Sequence, residues 1–328
     1  MDTKRPTYQN TILIYGPARS GTSWLSQVLG STTIPIRFYH EPFFHMPHSS
    51  ITTTLPEPEG TYALRKDHTA LPYTPDLEKD HWLLRSFNSL HETDPDFKFS
   101  FRKHLPKVVL RNDKAPKVTL IKEVHSLLAL EGILISLKCK TIVITRNPLY
   151  AVDSLLSFRT LAAHMWRKEA NFVTSKKFLD RFNISQRNKI LAFYLTNVDD
   201  GISRKGVLFS KVLTVALLNQ MLTQLAIENE NVCHIRYETL CENPIDNFKR
   251  LGAFVGIITD QPMINFIEQL AESSTQDDGP YSLQKNAKTQ IRKPLKFITT
   301  DEMNELESIL KELIPENKLV QPLRVLSI

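Results

Sequence analysis

Five short runs of apolar and β-branched residues predict β-strands, and segments with helical periodicity lie between most of them. The predicted strands are Thr11–Tyr15, Ile36–Tyr39, Val118–Ile121, Thr141–Thr145 and Val232–Ile235. The main predicted helices are Thr22–Leu29, Leu127–Leu137, Leu149–Phe158 and Ser203–Glu228. Continuous apolar strands that alternate with helices indicate an α/β fold with three layers, in which helices flank a mostly parallel five-stranded sheet. Ligands of such sheets bind at the carboxyl ends of the strands.

The periodicity weakens between about residues 45 and 117, where Pro, Thr, His and charged residues are frequent. This segment is interpreted as an insertion over the sheet edge, and insertions this long within a compact domain are usually functional lids or disordered. From about residue 243 to 328 the pattern becomes mainly helical. We therefore expect a single domain over residues 1–328 that carries a long insertion and a helical C-terminal part.

Composition narrows the choice of partners. The chain is 41% hydrophobic and carries a net charge of +6, which suits an anionic ligand. Lys and Arg form no dense stripe interleaved with aromatic residues, so we expect no nucleic-acid partner. The uncharged apolar run Val212–Ile227 is short and interrupted by polar residues, which favours a core helix over a membrane span.

Localisation follows from cysteine use and from the N-terminus. The three cysteines Cys139, Cys233 and Cys241 show no C-x-x-C spacing, which is typical of a reducing compartment. The N-terminus shows no long apolar segment. The sequence therefore predicts a cytoplasmic protein without a membrane partner, and it leaves the oligomeric state open.

The segment between the first predicted strand and helix reads Gly16-Pro17-Ala18-Arg19-Ser20-Gly21-Thr22-Ser23-Trp24. A loop that opens a helix in this way directs backbone N–H groups and the positive helix end at one point, which suits a phosphate. The glycines have Walker A spacing, yet Thr22 stands where that motif has lysine. Arg19 is the only cation of the loop, so the loop suits a nucleotide other than ATP.

A second candidate anion site follows the fourth predicted strand. Arg146 directly precedes Asn147, a good helix N-cap, and Pro148, which suits the first helical position. Ser154 lies about two helical turns further on, so the guanidinium and the hydroxyl can converge on a second phosphate. Two anion sites on one sheet indicate a ligand with phosphates at two positions.

These motifs resemble those of the sulfotransferases. The Gly16–Trp24 loop resembles the family's 5′-phosphosulfate loop, and Arg146-Asn147-Pro148 with Ser154 resembles its 3′-phosphate motif. The segment from Ile235 to Pro244, Ile-Arg-Tyr-Glu-Thr-Leu-Cys-Glu-Asn-Pro, is similar to the family's R-Y-E-D-L-x-x-x-P segment. The resemblance runs in order from residue 12 to about residue 258.

The resemblance implies transfer of a sulfuryl group from 3′-phosphoadenosine 5′-phosphosulfate (PAPS), with 3′-phosphoadenosine 5′-phosphate (PAP) as product and no metal. It places Arg146 and Ser154 on the 3′-phosphate, and Trp24 and Tyr237 beside the adenine. It places the following residues on the 5′-phosphate: Arg19, Ser20, Gly21, Thr22 and Ser23. Cytosolic members have lysine at the position of Arg19, whereas carbohydrate-type and many bacterial members have arginine there, as this chain does. The cytosolic Arg-Lys-Gly element is not evident, and Lys285, Lys288 or Arg292 is expected to replace it.

In-line sulfuryl transfer resembles phosphoryl transfer, in which positioning and electrostatics dominate. The acceptor must lose a proton, so a general base is required. Glu41 resembles the Glu-Pro element of carbohydrate-type enzymes, and His125 lies in a segment similar to the K-T-H piece of cytosolic members. Glu123 is the third candidate base, and Lys122 is a second cation for the sulfuryl group.

The acceptor is predicted to be a small polar molecule with a hydroxyl or an amine. Its pocket is expected to be shaped by the insertion and by the loop over residues 161–183. The arginine in the phosphosulfate loop, which is typical of many bacterial members, and the predicted small polar acceptor suggest a tailoring enzyme of secondary metabolism. Two alternatives stay open at this point: a nucleotide or nucleoside kinase, and a non-catalytic PAP-binding protein on the same fold.

Overall fold

The computed structural model describes residues 10–41, 73–77, 83–84, 87, 117–156, 173, 175–197, 203–272 and 294–314. Within them, five strands form one sheet: β1 (Thr11–Tyr15), β2 (Ile36–His40), β3 (Val118–Glu123), β4 (Lys140–Thr145) and β5 (Val232–Arg236). The strand order is β2-β3-β1-β4-β5, and every adjacent pair is parallel. The predicted α/β class and five-stranded sheet are confirmed, with all pairs parallel rather than most.

Ten described α-helices surround this sheet. The first five are α1 (Thr22–Gly30), α2 (Leu130–Leu137), α3 (Pro148–Leu156), α4 (Lys176–Leu179) and α5 (Ile184–Asn197). The others are α6 (Arg204–Glu228), α7 (Tyr237–Glu242), α8 (Pro244–Val255), α9 (Gln261–Glu272) and α10 (Thr300–Leu313). The first turn of the predicted helix at Leu127 is a 3₁₀ turn over Leu127–Ala129, so α2 begins later than predicted.

Alternate side chains of the central strand enter two separate cores. Leu13 and Tyr15 of β1 pack into one hydrophobic cluster, whereas Ile12 and Ile14 pack into another on the opposite face. All five residues of β1 are buried. This two-sided burial explains why the strand reads as a continuous apolar run rather than as an alternating one.

Helix α6 is long and apolar enough to cross a membrane by length and composition. However, 89% of its most apolar window is buried inside the protein, where it packs against α3, β4 and β5. Ser203 caps the helix by accepting a hydrogen bond from Gly206 N at 3.0 Å. The helix serves as a core element, as its interrupted apolar pattern predicts.

The sheet changes winding direction between β1 and β4. The chain leaves β1 toward β3 and β2 on one side and leaves β4 toward β5 on the other. Connections that diverge in this way open a crevice at the carboxyl ends of the two central strands. The two predicted anion sites follow these two strands. Most of the predicted insertion over about residues 45–117 lies outside the described residues, and the single-domain organisation stays a prediction.

Candidate active site

The loop after β1 turns sharply before α1 begins at Thr22. Ser20 N donates a hydrogen bond to Pro17 O at 3.1 Å, and Arg19 and Gly21 both adopt positive φ, of 70° and 95°. A Cβ atom at Gly21 would lie 2.4 Å from Cδ2 of Tyr237. Glycine is therefore required at this position both by its backbone conformation and by the close approach of the tyrosine ring.

The loop holds a buried polar atom that suits an anionic ligand. The Ser20 side chain is fully buried, and its Oγ has no hydrogen-bond partner among the residues that the structure describes. Buried hydroxyls are normally hydrogen-bonded, because an unsatisfied one costs about 1–3 kcal/mol. A phosphate oxygen over the N-terminus of α1 would satisfy it, so the residues present fit the 5′-phosphate of a nucleotide.

The two predicted anion sites meet at Arg19. Its Nε donates a hydrogen bond to Ser154 Oγ at 3.0 Å, across 135 residues of sequence. Arg146 donates from one of its terminal guanidinium nitrogens to the backbone carbonyl of Arg19 at 3.1 Å. The loop cation, the second arginine and the helix serine thus form one connected cluster at the crevice between β1 and β4.

The turn that carries Arg146 is held from three directions. Asn147 Oδ1 accepts from Leu149 N at 2.9 Å, so the predicted N-cap of α3 is confirmed. Glu238 Oε1 accepts from Asn147 N at 2.8 Å, and Asn219 Nδ2 donates to Arg146 O at 2.8 Å. These contacts fix the backbone from which the Arg146 side chain extends.

Sequence reasoning did not identify Asn219 or Glu238. Glu238 directly follows Tyr237 in the segment that resembles the family's R-Y-E-D-L-x-x-x-P pattern, so the resemblance could have marked it as a site residue. Asn219 is a buried amide within the apolar stretch of α6, and a polar residue at such a place is itself a signal of a specific partner.

Tyr237 joins the loop, the second arginine and Trp24. The Arg146 guanidinium carbon lies 4.6 Å from the centroid of the Tyr237 ring, a cation–π contact. Trp24 meets Tyr237 edge-to-face at 6.0 Å and Phe248 at 5.5 Å. Burial raises the pKa of the Tyr237 phenol well above its ordinary value, so this side chain stays neutral. The rings of Tyr237 and Trp24 therefore pack beside Arg146 and Gly21, the residues of the two predicted anion sites.

Candidate acid–base groups gather at the ends of β2 and β3. Glu41 directly follows β2, with its N–H donating to Lys122 O at 2.7 Å. The Lys122 ammonium donates a hydrogen bond to Glu41 Oε1. His125 Nε2 lies 3.7 Å from Glu41 Oε2, and His40 Nε2 lies 3.5 Å from Oε1. The structure thus brings three residues named as candidates in the sequence analysis, Glu41, His125 and Lys122, together at the ends of β2 and β3.

The surroundings of Glu41 determine its charge. Burial by itself raises the pKa of this carboxyl, but the Lys122 ammonium and the contacts with His125 and His40 outweigh burial. The net result is a pKa well below the usual range, so Glu41 is a stable carboxylate. A carboxylate beside His125 can hold the imidazole ring in a fixed orientation.

Glu123 occupies a different position from the other two candidate bases. It is the last residue of β3, and its buried Oε1 accepts from Val124 N at 2.7 Å and His125 N at 2.6 Å. This carboxylate caps the turn that carries His125. Because Oε1 already accepts two backbone N–H groups, we interpret Glu123 as a support of this turn, and its role as a candidate base stays a prediction.

All these groups lie along one edge of the sheet. The register pairs Tyr15 with Glu123, His40 with Lys122, and Thr145 with Arg236, so the five strands end side by side. The predicted phosphate-binding groups follow β1 and β4, and the candidate acid–base groups follow β2 and β3, at the same edge of the sheet. Such an edge can bind a phosphorylated ligand in the crevice and present one end of it to a proton acceptor.

Comparison with known proteins identifies the family. The sulfotransferase domain family matches residues 9–287 of the 328-residue chain. The chain belongs to the sulfotransferase family. No curated protein sequence matches this sulfotransferase. Among solved structures, a mouse sulfotransferase complexed with PAP is 14% identical, with 95% of this chain and 90% of that chain covered and a TM-score of 0.46.

Two further solved structures are similar to this sulfotransferase. One is the sulfotransferase domain from the curacin biosynthetic pathway, at 15% identity, with 92% and 96% of the two chains covered and a TM-score of 0.40. The other is a sulfotransferase from Alicyclobacillus acidocaldarius, at 16% identity, with 95% and 96% covered and a TM-score of 0.38.

Some predicted site residues of this sulfotransferase are not located. Lys285, with its alternatives Lys288 and Arg292, lies outside the described residues. The stacking of Trp24 and Tyr237 on an adenine stays a prediction. Among the described residues, no group of three or more His, Cys, Asp or Glu side chains is arranged to hold a metal ion.

Proposed function

We propose that this sulfotransferase transfers the sulfuryl group of PAPS to a hydroxyl or an amine of a small polar acceptor. The observation that carries the proposal is the cluster at Arg19, whose side chain bonds Ser154 and whose carbonyl accepts from Arg146. A ligand with phosphates at its 5′ and 3′ positions requires two such anion sites within one nucleotide length. A nucleotide with a single phosphate group uses only one of them.

The residues of the loop would bind the 5′ end of PAPS. The backbone N–H groups of Gly21, Thr22 and Ser23 lie at the start of α1, where an anion is favoured by the helix dipole. The unpartnered Ser20 hydroxyl and the Arg19 guanidinium would add donors. Thr22 stands where a Walker A loop has its lysine, which supports a sulfated monophosphate over a triphosphate.

The second site would bind the 3′-phosphate through Arg146 and Ser154. A guanidinium can donate two parallel hydrogen bonds to a phosphate, and a serine hydroxyl adds a third. Trp24 and Tyr237 would supply apolar ring surface to the adenine. The contacts of Asn219 and Glu238 with the Arg146 turn support this role, because a positioned arginine loses less conformational entropy on binding.

For the chemical step we assign His125 as general base and Glu41 as its charge partner. The acceptor O–H or N–H would give its proton to His125 while the acceptor atom bonds to sulfur. The bond between sulfur and the 5′-phosphate oxygen would break, and PAP would leave. Glu41 has a strongly lowered pKa and a bond from Lys122, so it is a weak proton acceptor, but it stabilises the imidazolium that forms.

Lys122 and Arg19 would stabilise the charge that develops on the transferred group and on the leaving oxygen. Lys122 is 2% exposed, and charges in such a dry site interact more strongly than in water. The following features stay predictions: the acceptor class, a cytoplasmic location, a role in secondary metabolism, the absence of a metal, and a single domain over residues 1–328.

The test is an acceptor screen with PAPS in which sulfated products are detected by mass. A mass increase of one sulfuryl group on a small hydroxyl or amine compound is expected. Phosphorylated product with ATP and magnesium, and none with PAPS, would show a kinase instead. Tight PAP binding without transfer to any acceptor would show a non-catalytic binding protein.

A further inference from the structure

The hydroxyl of Tyr15 meets the turn that carries His125. Tyr15 is the last residue of β1, and its Oη lies 2.9 Å from Ser126 Oγ, a hydrogen bond across 111 residues of sequence in which either hydroxyl can donate. Both residues are fully buried. Ser126 directly follows His125. The contact therefore joins the central strand to the neighbour of the candidate base.

The Ser126 side chain makes this distant contact instead of a local one. Ser126 is the N-cap residue of the 3₁₀ turn Leu127–Ala129, a position where a serine side chain normally accepts from a backbone N–H. Here the side chain makes no capping hydrogen bond, and Ala129 N donates to the Ser126 carbonyl at 3.1 Å. The hydroxyl thus links two distant segments rather than stabilising the start of its own helical turn.

The turn that carries His125 is held at both ends. At its start, Glu123 Oε1 accepts from the N–H groups of Val124 and His125. At its end, Tyr15 holds Ser126. The register pairs Tyr15 with Glu123 across β1 and β3, so the two supports extend from one pair of neighbouring residues. The backbone of His125 lies between them and cannot shift far without breaking one of these contacts.

Tyr15 also determines where the phosphate loop begins. Gly16 follows it directly, and a Cβ atom at Gly16 would lie 2.4 Å from Ile144 O and 2.9 Å from Thr22 Cγ2. The loop thus leaves β1 in close contact with β4 and with the start of α1. One residue therefore connects the predicted 5′-phosphate site, through its backbone, to the turn of the candidate base, through its side chain.

The Tyr15 phenol is suited to a fixed contact rather than to proton transfer. Burial, with the nearby Glu123 carboxylate, raises its pKa well above the ordinary value, so the hydroxyl stays neutral. The ring packs in the same hydrophobic cluster as Leu127 and Leu128, which follow Ser126. Close packing of this kind holds a side chain in one rotamer, so the direction of the hydroxyl is fixed.

We propose that Tyr15 is a positioning residue that holds His125 at a fixed place relative to the transferred sulfuryl group. A general base must lie within hydrogen-bond reach of the acceptor proton while the acceptor atom is aligned with sulfur. Tyr15 sets this geometry because its backbone begins the phosphate loop and its hydroxyl binds the turn of the base. This inference rests on the proposed function and on its assignment of His125.

The test uses the full-length protein and the acceptor that the PAPS screen identifies. Tyr15→Phe keeps the ring and removes one hydroxyl of the pair, and Ser126→Ala removes the other. Each is expected to lower kcat by about tenfold, less than the roughly 10²-fold that a 1 Å misplacement can cost. The dissociation constant of PAP should stay within about twofold, because the phosphate loop keeps its own donors.

Double variants separate positioning from stability. Tyr15→Phe/Ser126→Ala should be no slower than the slower single variant, since both changes remove the same contact. In a His125→Ala background, Tyr15→Phe should change kcat by less than about twofold, because the tyrosine acts through the histidine. Ser31→Ala is the matched control, since it removes a buried serine hydroxyl that donates to Val28 O at 2.7 Å at the C-terminal end of α1. It should lower the melting temperature and leave kcat unchanged.

An unchanged kcat in both Tyr15→Phe and Ser126→Ala, in a protein that sulfates the acceptor and depends on His125, overturns this inference alone. An equal loss from Tyr15→Phe with and without His125 also overturns it, because the effect would then not pass through the base. A wild type that transfers no sulfuryl group to any acceptor contradicts the proposed function, and the inference with it. If Tyr15→Phe does not fold, Ser126→Ala in the wild type and in the His125→Ala background decides in its place.

Discussion

The Arg146 guanidinium donates a hydrogen bond to the backbone carbonyl of Arg19 at 3.1 Å and lies over the ring of Tyr237. The side chain that follows β4 thus directly supports the loop that follows β1. This link makes the two anion sites a single unit. It also means that Arg146 can affect a ligand both through its own charge and through the shape of the phosphate loop.

Replacement of Arg146 by alanine should weaken PAP binding by about tenfold or more, the effect of a lost charge-assisted contact. AMP binding should weaken less, because the 5′ loop keeps its own donors. Arg146→Lys should fall in between, since lysine keeps the charge but not the planar fork. Calorimetric titration of both nucleotides tests this, with Arg250→Ala, which removes an exposed arginine of α8, as control. Equal losses for PAP and AMP would refute the assignment of Arg146 to the 3′-phosphate.

Two glycines with positive φ offer a matched pair for the loop. A Cβ at Gly21 meets Tyr237 at 2.4 Å, whereas a Cβ at Gly256 meets nothing within 4 Å. Gly256→Ala should cost only the backbone strain, about 1 kcal/mol of unfolding free energy. Gly21→Ala should cost more, because Tyr237 must move, and it should also weaken PAP binding. Chemical denaturation and PAP titration measure the two effects, and equal behaviour of the two variants would contradict the packing described for Tyr237.

His125 and Glu41 can be separated by kinetics once an acceptor is known. His125→Ala should lower kcat by about 10²–10⁴-fold, the usual contribution of a general base, with PAP binding unchanged. Glu41→Gln should lower kcat less. The acidic limb of the pH profile of kcat should also shift to lower pH. Without the carboxylate of Glu41, the imidazolium of His125 loses its proton more readily. A larger loss in Glu41→Gln than in His125→Ala would make Glu41 the base.

His234 predicts how stability depends on pH. Its ring accepts or donates a hydrogen bond with Thr145 Oγ1 at 2.8 Å, and burial, with the nearby Arg236, lowers its pKa from 6.5 to about 4. Between these values the unfolded chain binds a proton that the folded chain does not, so stability falls as the pH drops from 6.5 toward 4. The loss from this group amounts to at most about 3 kcal/mol.

The matched variant is His234→Asn, which keeps a polar side chain but cannot titrate. Its unfolding free energy, measured by denaturation between pH 7 and pH 4, should fall less steeply than that of the wild type. Parallel curves for the two proteins would show that His234 titrates normally in the folded state.

The sequence predicts the sheet well because the three central strands β3, β1 and β4 are buried on both faces and contain continuous apolar runs. It also predicts the Arg146 turn, since Asn147 and Pro148 are local signals of a helix start. The parts that it misses depend on contacts between distant segments. Asn219 and Glu238 each carry a signal in the sequence, but their partners are backbone groups of the Arg146 turn far along the chain, and no local pattern marks those partners.

The contrast between Glu41 and Glu123 illustrates the same limit. Both are acidic residues at strand ends, and the sequence leaves both as candidate bases. In the fold, Glu41 faces Lys122 and His125, whereas Glu123 turns back to accept from the N–H groups of Val124 and His125. Which way a side chain turns at a strand end depends on the following loop.

The most direct test of the account compares PAP with AMP in one calorimetric titration of the wild-type protein. Two joined anion sites predict that PAP binds at least about tenfold more tightly than AMP, because the 3′-phosphate gains charge-assisted hydrogen bonds. Equal affinities for the two nucleotides would contradict the account, since Arg146 and Ser154 would then contribute nothing to the ligand.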